Sequence, residues 1–110
     1  MASKYRAGAS FEREVVHFFN KNGCLAYRTA GSRGRGGVDV VAIPTRQFMK
    51  EFLNVSAYFC YRALLVQCKL SGSMRESERL ELVRFAERYH CVPVIAWKEN
   101  GEVKMTILEG

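Results

Sequence analysis

The sequence predicts an α/β fold, a mixed β-sheet flanked by helices, on three observations. Two stretches, Phe11–Asn22 and one from about Ser73 to His90, repeat apolar residues at helical spacing. Short runs rich in Val, Ile, Leu and aromatic residues read as strands at Cys24–Thr29, Val38–Ile43, Tyr58–Lys69, Val92–Trp97 and Val103–Leu108. Asn100-Gly101, between the last two, is a strong two-residue hairpin signal. The order is α-β-β-β-α-β-β, and 110 residues suit one domain, residues 1–110, with a single core.

Composition narrows the class. With 48% hydrophobic and 25% charged residues the chain is ordinary globular material, which excludes a disordered polypeptide. No apolar run reaches the length of a membrane span, and MASKYRAGAS lacks an apolar signal region, so an intracellular, cytoplasmic protein is expected. Cys24, Cys60, Cys68 and Cys91 form no C-x-x-C pair and no zinc-like spacing with His17 or His90; reduced, buried thiols are expected. The net charge of +6 is uneven. Residues 1–37 carry seven Lys or Arg against two Glu, whereas the remaining 73 carry ten basic residues against nine acidic ones. A basic face confined to one third of a small domain suits a polyanion, or simply a solubilising surface.

Taken in order, residues 3–8 read as a polar, basic leader with Lys4 and Arg6, and Ser10 as an N-cap. Phe11, Val15, Phe18 and Phe19 form the apolar stripe of the first helix, which Gly23 ends. Glu12 lies three, four and seven residues before Val15, Val16 and Phe19, at the edge of that stripe. It is either a partner of the helix dipole or a residue aimed at a site. In the first strand Leu25 and Tyr27 share a face.

The loop Ala30–Gly37 contains Ser32, Arg33 and Arg35 and no acid. Its glycines allow close backbone approach to a ligand and its arginines can fork onto phosphate, although a mobile surface loop has the same composition. It lacks the spacing of a P-loop. Pro44 closes the next strand, and residues 45–61 are longer than a hairpin needs, an insertion between core strands. Phe48, Met49, Phe52 and Leu53 are spaced for a short helix there; the insertion's aromatics are core residues or a surface for stacking bases. Ser73-x-x-Glu76 resembles a capping box opening the second long helix. Leu82, Phe85, Ala86 and Tyr89 share one face of it and Leu80 and Val83 broaden it, more apolar surface than one sheet needs. Pro93 sits near the start of its strand, where a missing donor is tolerated.

Two strands carry polar residues where a core strand should not want them. Gln67 and Lys69 are two apart and project from one face. If Val38–Ile43 pairs antiparallel with the strand ending at Lys69, Asp39 comes to lie near both. One explanation is a structural Asp39–Lys69 ion pair. The other is chemical. Glu12, Asp39 and Gln67 offer three oxygens to Mg²⁺, a hard cation. Such an ion polarises a phosphoryl oxygen and acidifies water, while Lys69 orients the water or stabilises developing negative charge. With the basic loop, that points to phosphodiester hydrolysis.

Asp39 followed by Gln67-Cys68-Lys69 resembles the PD-(D/E)XK nuclease motif in its Gln variant. More specifically the chain resembles the archaeal-type Holliday junction resolvases (Hjc family), found also in viruses. The similarity runs through G-A-x-x-E-R at Gly8–Arg13, G-x-x-A-x-R-x-A-G-S at Gly23–Ser32 and V-D-V-V-A at Val38–Ala42. It continues in Arg79–Tyr89 and V-P-V-I-A at Val92–Ala96. The resemblance implies a restriction-endonuclease-like core in a Mg²⁺-dependent homodimer, with Mn²⁺ as a substitute, nicking two opposing strands of a four-way DNA junction symmetrically. By matching position, Glu12, Asp39 and Gln67 are the metal ligands, Lys69 the catalytic lysine, and Ser32 part of the catalytic loop. Arg13 and Arg28 match residues around the scissile strand, Lys4, Arg6, Arg33 and Arg35 add to the DNA-binding surface, and Phe85 and Tyr89 match an aromatic pair of the dimer interface. Gln67 stands where the family usually has Glu, which removes one negative charge. The run Gly36-Gly37-Val38-Asp39 is also similar to Mrr-like restriction nucleases, so a general endonuclease acting on duplex DNA is the alternative. A silent DNA-binding module is the other, against which the joint presence of Glu12, Asp39 and Lys69 argues.

Overall fold

The computed structural model describes residues 4–29, 36–55 and 62–109, with only the backbone of residues 4–7. Its elements are α1 (Lys4–Lys21), β1 (Leu25–Arg28), β2 (Val40–Ile43), α2 (Arg46–Phe52), β3 (Leu64–Cys68), α3 (Glu76–Arg88), β4 (Val92–Glu99) and β5 (Glu102–Ile107). The five strands form one mixed sheet in the order β1-β2-β3-β4-β5; only β3·β4 is parallel, and α3 makes that crossover.

Helices cover both faces. Phe11, Val15 and Phe19 of α1 are buried against Ala26, Val40, Ala42, Leu64, Val66, Val92, Val94 and Ala96, the alternate residues of four strands. Each of the Phe, Val and Leu side chains among them stabilises the fold by ~1.5–3 kcal/mol through burial. On the opposite face Leu82 and Ala86 of α3 pack on Val38 and Leu65. β4 and β5 meet in the expected hairpin, with Asn100 at φ 51° and Gly101 at φ 78°, the positive values a type I′ turn requires.

Several expected boundaries move. The leader is helical from Lys4, so Ser10 lies inside α1 and caps nothing. The insertion's short helix is α2, capped by the Thr45 hydroxyl, which accepts from the Phe48 N–H at 3.1 Å. Phe48 and Met49 are fully buried, and Phe48 and Phe52 stack among Phe18 and Phe19 with ring centroids 4.7–6.4 Å apart. These aromatics are therefore core, not a base-stacking surface; residues 56–61, with Tyr58, Phe59, Cys60 and Tyr61, lie outside the described residues. The strand expected from Tyr58 begins at Leu64 and ends at Cys68. The capping box is not Ser73-x-x-Glu76. The helix opens two residues later, with Arg75 as N-cap and Glu78 accepting from the Arg75 backbone N–H at 3.1 Å. Cys24, Cys68 and Cys91 are free thiols. No helix among the described residues is long and apolar enough to cross a membrane.

Candidate active site

The antiparallel register of β2 and β3 pairs Val40 with Val66, so Asp39, just before β2, meets the end of β3. Its backbone is clamped from two sides. The Asp39 N–H donates to Val66 O at 2.8 Å, and its carbonyl accepts from the Thr29 N–H at 3.0 Å. Thr29 tightens the same junction through its hydroxyl, which donates to Val38 O at 2.6 Å. The Asp39 carboxylate in turn accepts the Cys68 N–H at 2.8 Å, an otherwise open donor at the end of β3.

This carboxylate is poorly solvated. Burial pushes its pKa from the ordinary 3.8 up to about 6; the Cys68 N–H, Lys69 and Arg28 oppose that rise, and the charge of Glu12 adds to it. Glu12 reaches the neighbourhood from α1, where Arg28 of β1 holds it through Nε at 3.2 Å and Nη2 at 3.1 Å. An arginine expected at the DNA is thus already committed to an acid of the site. Arg13 is exposed on the next position of α1.

Gln67 and Lys69 do project from one face of the β3 end, but their partner is not Asp39. Both bind Glu78 of α3: Lys69 Nζ lies 2.6 Å from Glu78 Oε2, and Gln67 Nε2 donates to the same oxygen at 3.3 Å. The alternative of an Asp39–Lys69 ion pair is replaced by Lys69–Glu78. Glu78 is held ionised, its pKa drawn down to about 2 chiefly by Lys69 and by the Arg75 N–H. The sequence reading missed this residue, although a signal was present. Glu78 is four residues before Leu82 and seven before Phe85, on the inward stripe of α3, the same reasoning that singled out Glu12.

Gln67 is 8% exposed, and its Oε1 is buried without a hydrogen-bond partner. A buried acceptor left open costs about 1–3 kcal/mol, so it asks for a ligand. The desolvated Asp39 carboxylate, pressed by the charge of Glu12, asks for a cation. No cluster of three His, Cys, Asp or Glu side chains that could hold a metal ion occurs among the described residues. Two acids and an amide fit a hard divalent ion.

Two glycines bring the preceding segment onto the site. Gly36 has φ +67°, and a Cβ there would lie 2.3 Å from Phe85 Cγ; Gly37, at φ +73°, lies against the Gln67 amide. Phe85 is partly buried and Tyr89 half exposed at the end of α3, their ring centroids 4.9 Å apart. Ser32, Arg33 and Arg35 lie outside the described residues, as do the side chains of Lys4 and Arg6.

A mixed sheet with helices on both faces, and D…Q-x-K at one end of its antiparallel pair, is the arrangement of a PD-(D/E)XK-like nuclease. The comparisons with known proteins are more specific. The family model described as archaeal Holliday junction resolvase (Hjc) matches residues 3–109. The chain is 33% identical over 107 residues to the crossover junction endodeoxyribonuclease Hjc of Methanocaldococcus jannaschii, covering 94% of this chain and 67% of that protein. The fold is similar to that of Archaeoglobus fulgidus Hjc, a Holliday junction resolvase, with a TM-score of 0.63 and 21% identity over 87% of this chain and 72% of the other. The chain belongs to the archaeal Holliday junction resolvase (Hjc) family.

Proposed function

We propose that this chain is a structure-selective endodeoxyribonuclease that resolves four-way DNA junctions by metal-dependent phosphodiester hydrolysis. The observation that carries the reading is the Asp39 carboxylate held, poorly solvated, against the end of the Gln67–Lys69 strand, in a chain of this family. Residues 1–110 act as one nuclease domain, working wherever the cell keeps its DNA.

Glu12, Asp39 and the Gln67 oxygen hold the cation, for which Mg²⁺ is the natural choice and Mn²⁺ a substitute. When bound, the cation supplies Lewis-acid polarisation of a phosphoryl oxygen and a more acidic water. Lys69, ion-paired with Glu78, stabilises negative charge developing on the phosphate. Arg28 fixes the Glu12 carboxylate. Ser32 belongs, by the family resemblance, to the catalytic loop, and Lys4, Arg6, Arg13, Arg33 and Arg35 supply positive charge for the DNA backbone.

Symmetric nicking needs two sites at fixed spacing, hence a homodimer. An uncovered apolar surface supports it. Leu25 pairs with Ile43 and Tyr27 with Val41, so these four share a face, and Val41 packs in the α3-side cluster. Beyond the reach of α3, Leu25, Tyr27 and Ile43 are 57%, 65% and 55% exposed, on the same side as Phe85 and Tyr89. A second copy that seats its own Phe85 and Tyr89 there covers both patches.

The test is cleavage of a labelled immobile four-way junction beside a linear duplex of the same arm sequence, with Mg²⁺ and with EDTA. Paired nicks in the junction alone, lost with EDTA, are expected. Equal cutting of both DNAs would move the assignment to a general or Mrr-like nuclease, and tight binding without nicks to a silent binding module.

A further inference from the structure

Glu78 binds three residues at once. One carboxylate oxygen takes the Lys69 ammonium and the Gln67 amide nitrogen; the other takes the backbone N–H and Nε of Arg75, at 3.1 and 3.3 Å. The side chain is therefore tied to the first turn of α3 while it reaches across to β3. Gln67 beside it is caged. A Cβ on Gly37 would sit 3.3 Å from the amide nitrogen and 3.6 Å from its oxygen, so backbone closes one side of the amide and Glu78 the other.

An amide has two unlike ends, and an ionised carboxylate only accepts. Glu78 therefore selects one of the two orientations: the NH₂ turns toward α3, and the oxygen is left as the open, buried acceptor. The same contact accounts for an amide in place of an acid. A glutamate at 67 would set two carboxylates at hydrogen-bond distance, one of them buried, where like charges repel.

We propose that Glu78 is a positioning residue of the active site: it orients Gln67 so that the amide oxygen faces the cation, and it carries on α3 the negative charge that β3 lacks. The inference rests on the assignment of Gln67 as a ligand. Gln67 and Glu78 form one divided unit, an oxygen from the strand and a charge from the helix, so changes at the two positions are coupled.

Calorimetric binding of Mn²⁺ to the DNA-free protein tests this with wild type, Gln67→Ala, Glu78→Gln and the exchange variant Gln67→Glu/Glu78→Gln. Glutamine serves at this helix position in a capping box as glutamate does, so Glu78→Gln is expected to keep α3; circular dichroism and junction binding in EDTA check that it does. Glu78→Gln should weaken Mn²⁺ binding by about tenfold or more, as loss of a ligand-orienting partner does. The exchange variant should recover most of that affinity, because the carboxylate now stands on β3 and faces an amide. Wild-type affinity in Glu78→Gln, or no recovery in the exchange variant, would overturn the proposal while Gln67→Ala still weakened binding. Unchanged affinity in Gln67→Ala would instead remove Gln67 from the site, and this inference with it.

Discussion

Replacing Asp39 by asparagine is expected to leave the protein unable to cut and, without metal, more stable. The fold holds the Asp39 carboxylate where its pKa rises from 3.8 to about 6. At ~1.4 kcal/mol per pKa unit that rise corresponds to about 3 kcal/mol, reduced to about 2 because the side chain keeps some contact with water. Since the folded-state pKa is the higher one, the cost is absent below pH 3.8 and fully present above pH 6; stability falls as pH climbs through that window. Asparagine removes the charge and keeps an oxygen for the Cys68 N–H. Urea denaturation in EDTA at pH 7.5 should thus show Asp39→Asn about 2 kcal/mol more stable than wild type, the two converging near pH 4. Saturating Mg²⁺ should narrow the gap at pH 7.5 by stabilising wild type alone. A variant less stable than wild type at pH 7.5, or a gap independent of pH, would refute the claim that this carboxylate is held against its own solvation.

Gly36→Ala forces a methyl to within 2.3 Å of the Phe85 ring at φ +67° and should destabilise the protein by ~1–3 kcal/mol in urea. Phe85→Ala/Tyr89→Ala should yield monomers by light scattering; a persistent dimer would reject that interface. Junction affinity measured by anisotropy should fall with salt by roughly 0.9 log units per log unit for each phosphate neutralised, and a flat response would remove the phosphate contacts. Thr45→Ala removes the cap of α2 and should cost about 1 kcal/mol in thermal unfolding, since Phe48 and Met49 hang from that turn.

The sheet was legible because its signals are local and repetitive. The β2·β3 pairing that brings Asp39 to the end of β3 followed from two apolar runs, and Asn100-Gly101 determined the β4·β5 turn. α2 was readable from Phe48, Met49, Phe52 and Leu53 alone. Helix starts were harder. α1 continues back to Lys4 through residues without a strong breaker, and in Ser73–Glu78 two overlapping acid spacings compete, of which only the geometry picks Arg75–Glu78. The partner of Lys69 was not legible for a related reason. A strand pattern tells which side a lysine faces, but the acid it meets came from the helix packed on that side.

Strand order in the sheet is chain order, so every strand adds beside the one made before it. β1·β2, β2·β3 and β4·β5 are antiparallel, whereas β3·β4 is parallel and needs the crossover that α3 makes. Glu78 rides on that helix and reaches Gln67 near the end of β3 and Lys69 just past it. The one parallel pairing of the sheet is therefore the one whose crossover helix brings the shared acid to the lysine and the amide. Asp39 meets β3 through the antiparallel half of the sheet, so the two halves of the candidate site depend on different parts of the topology.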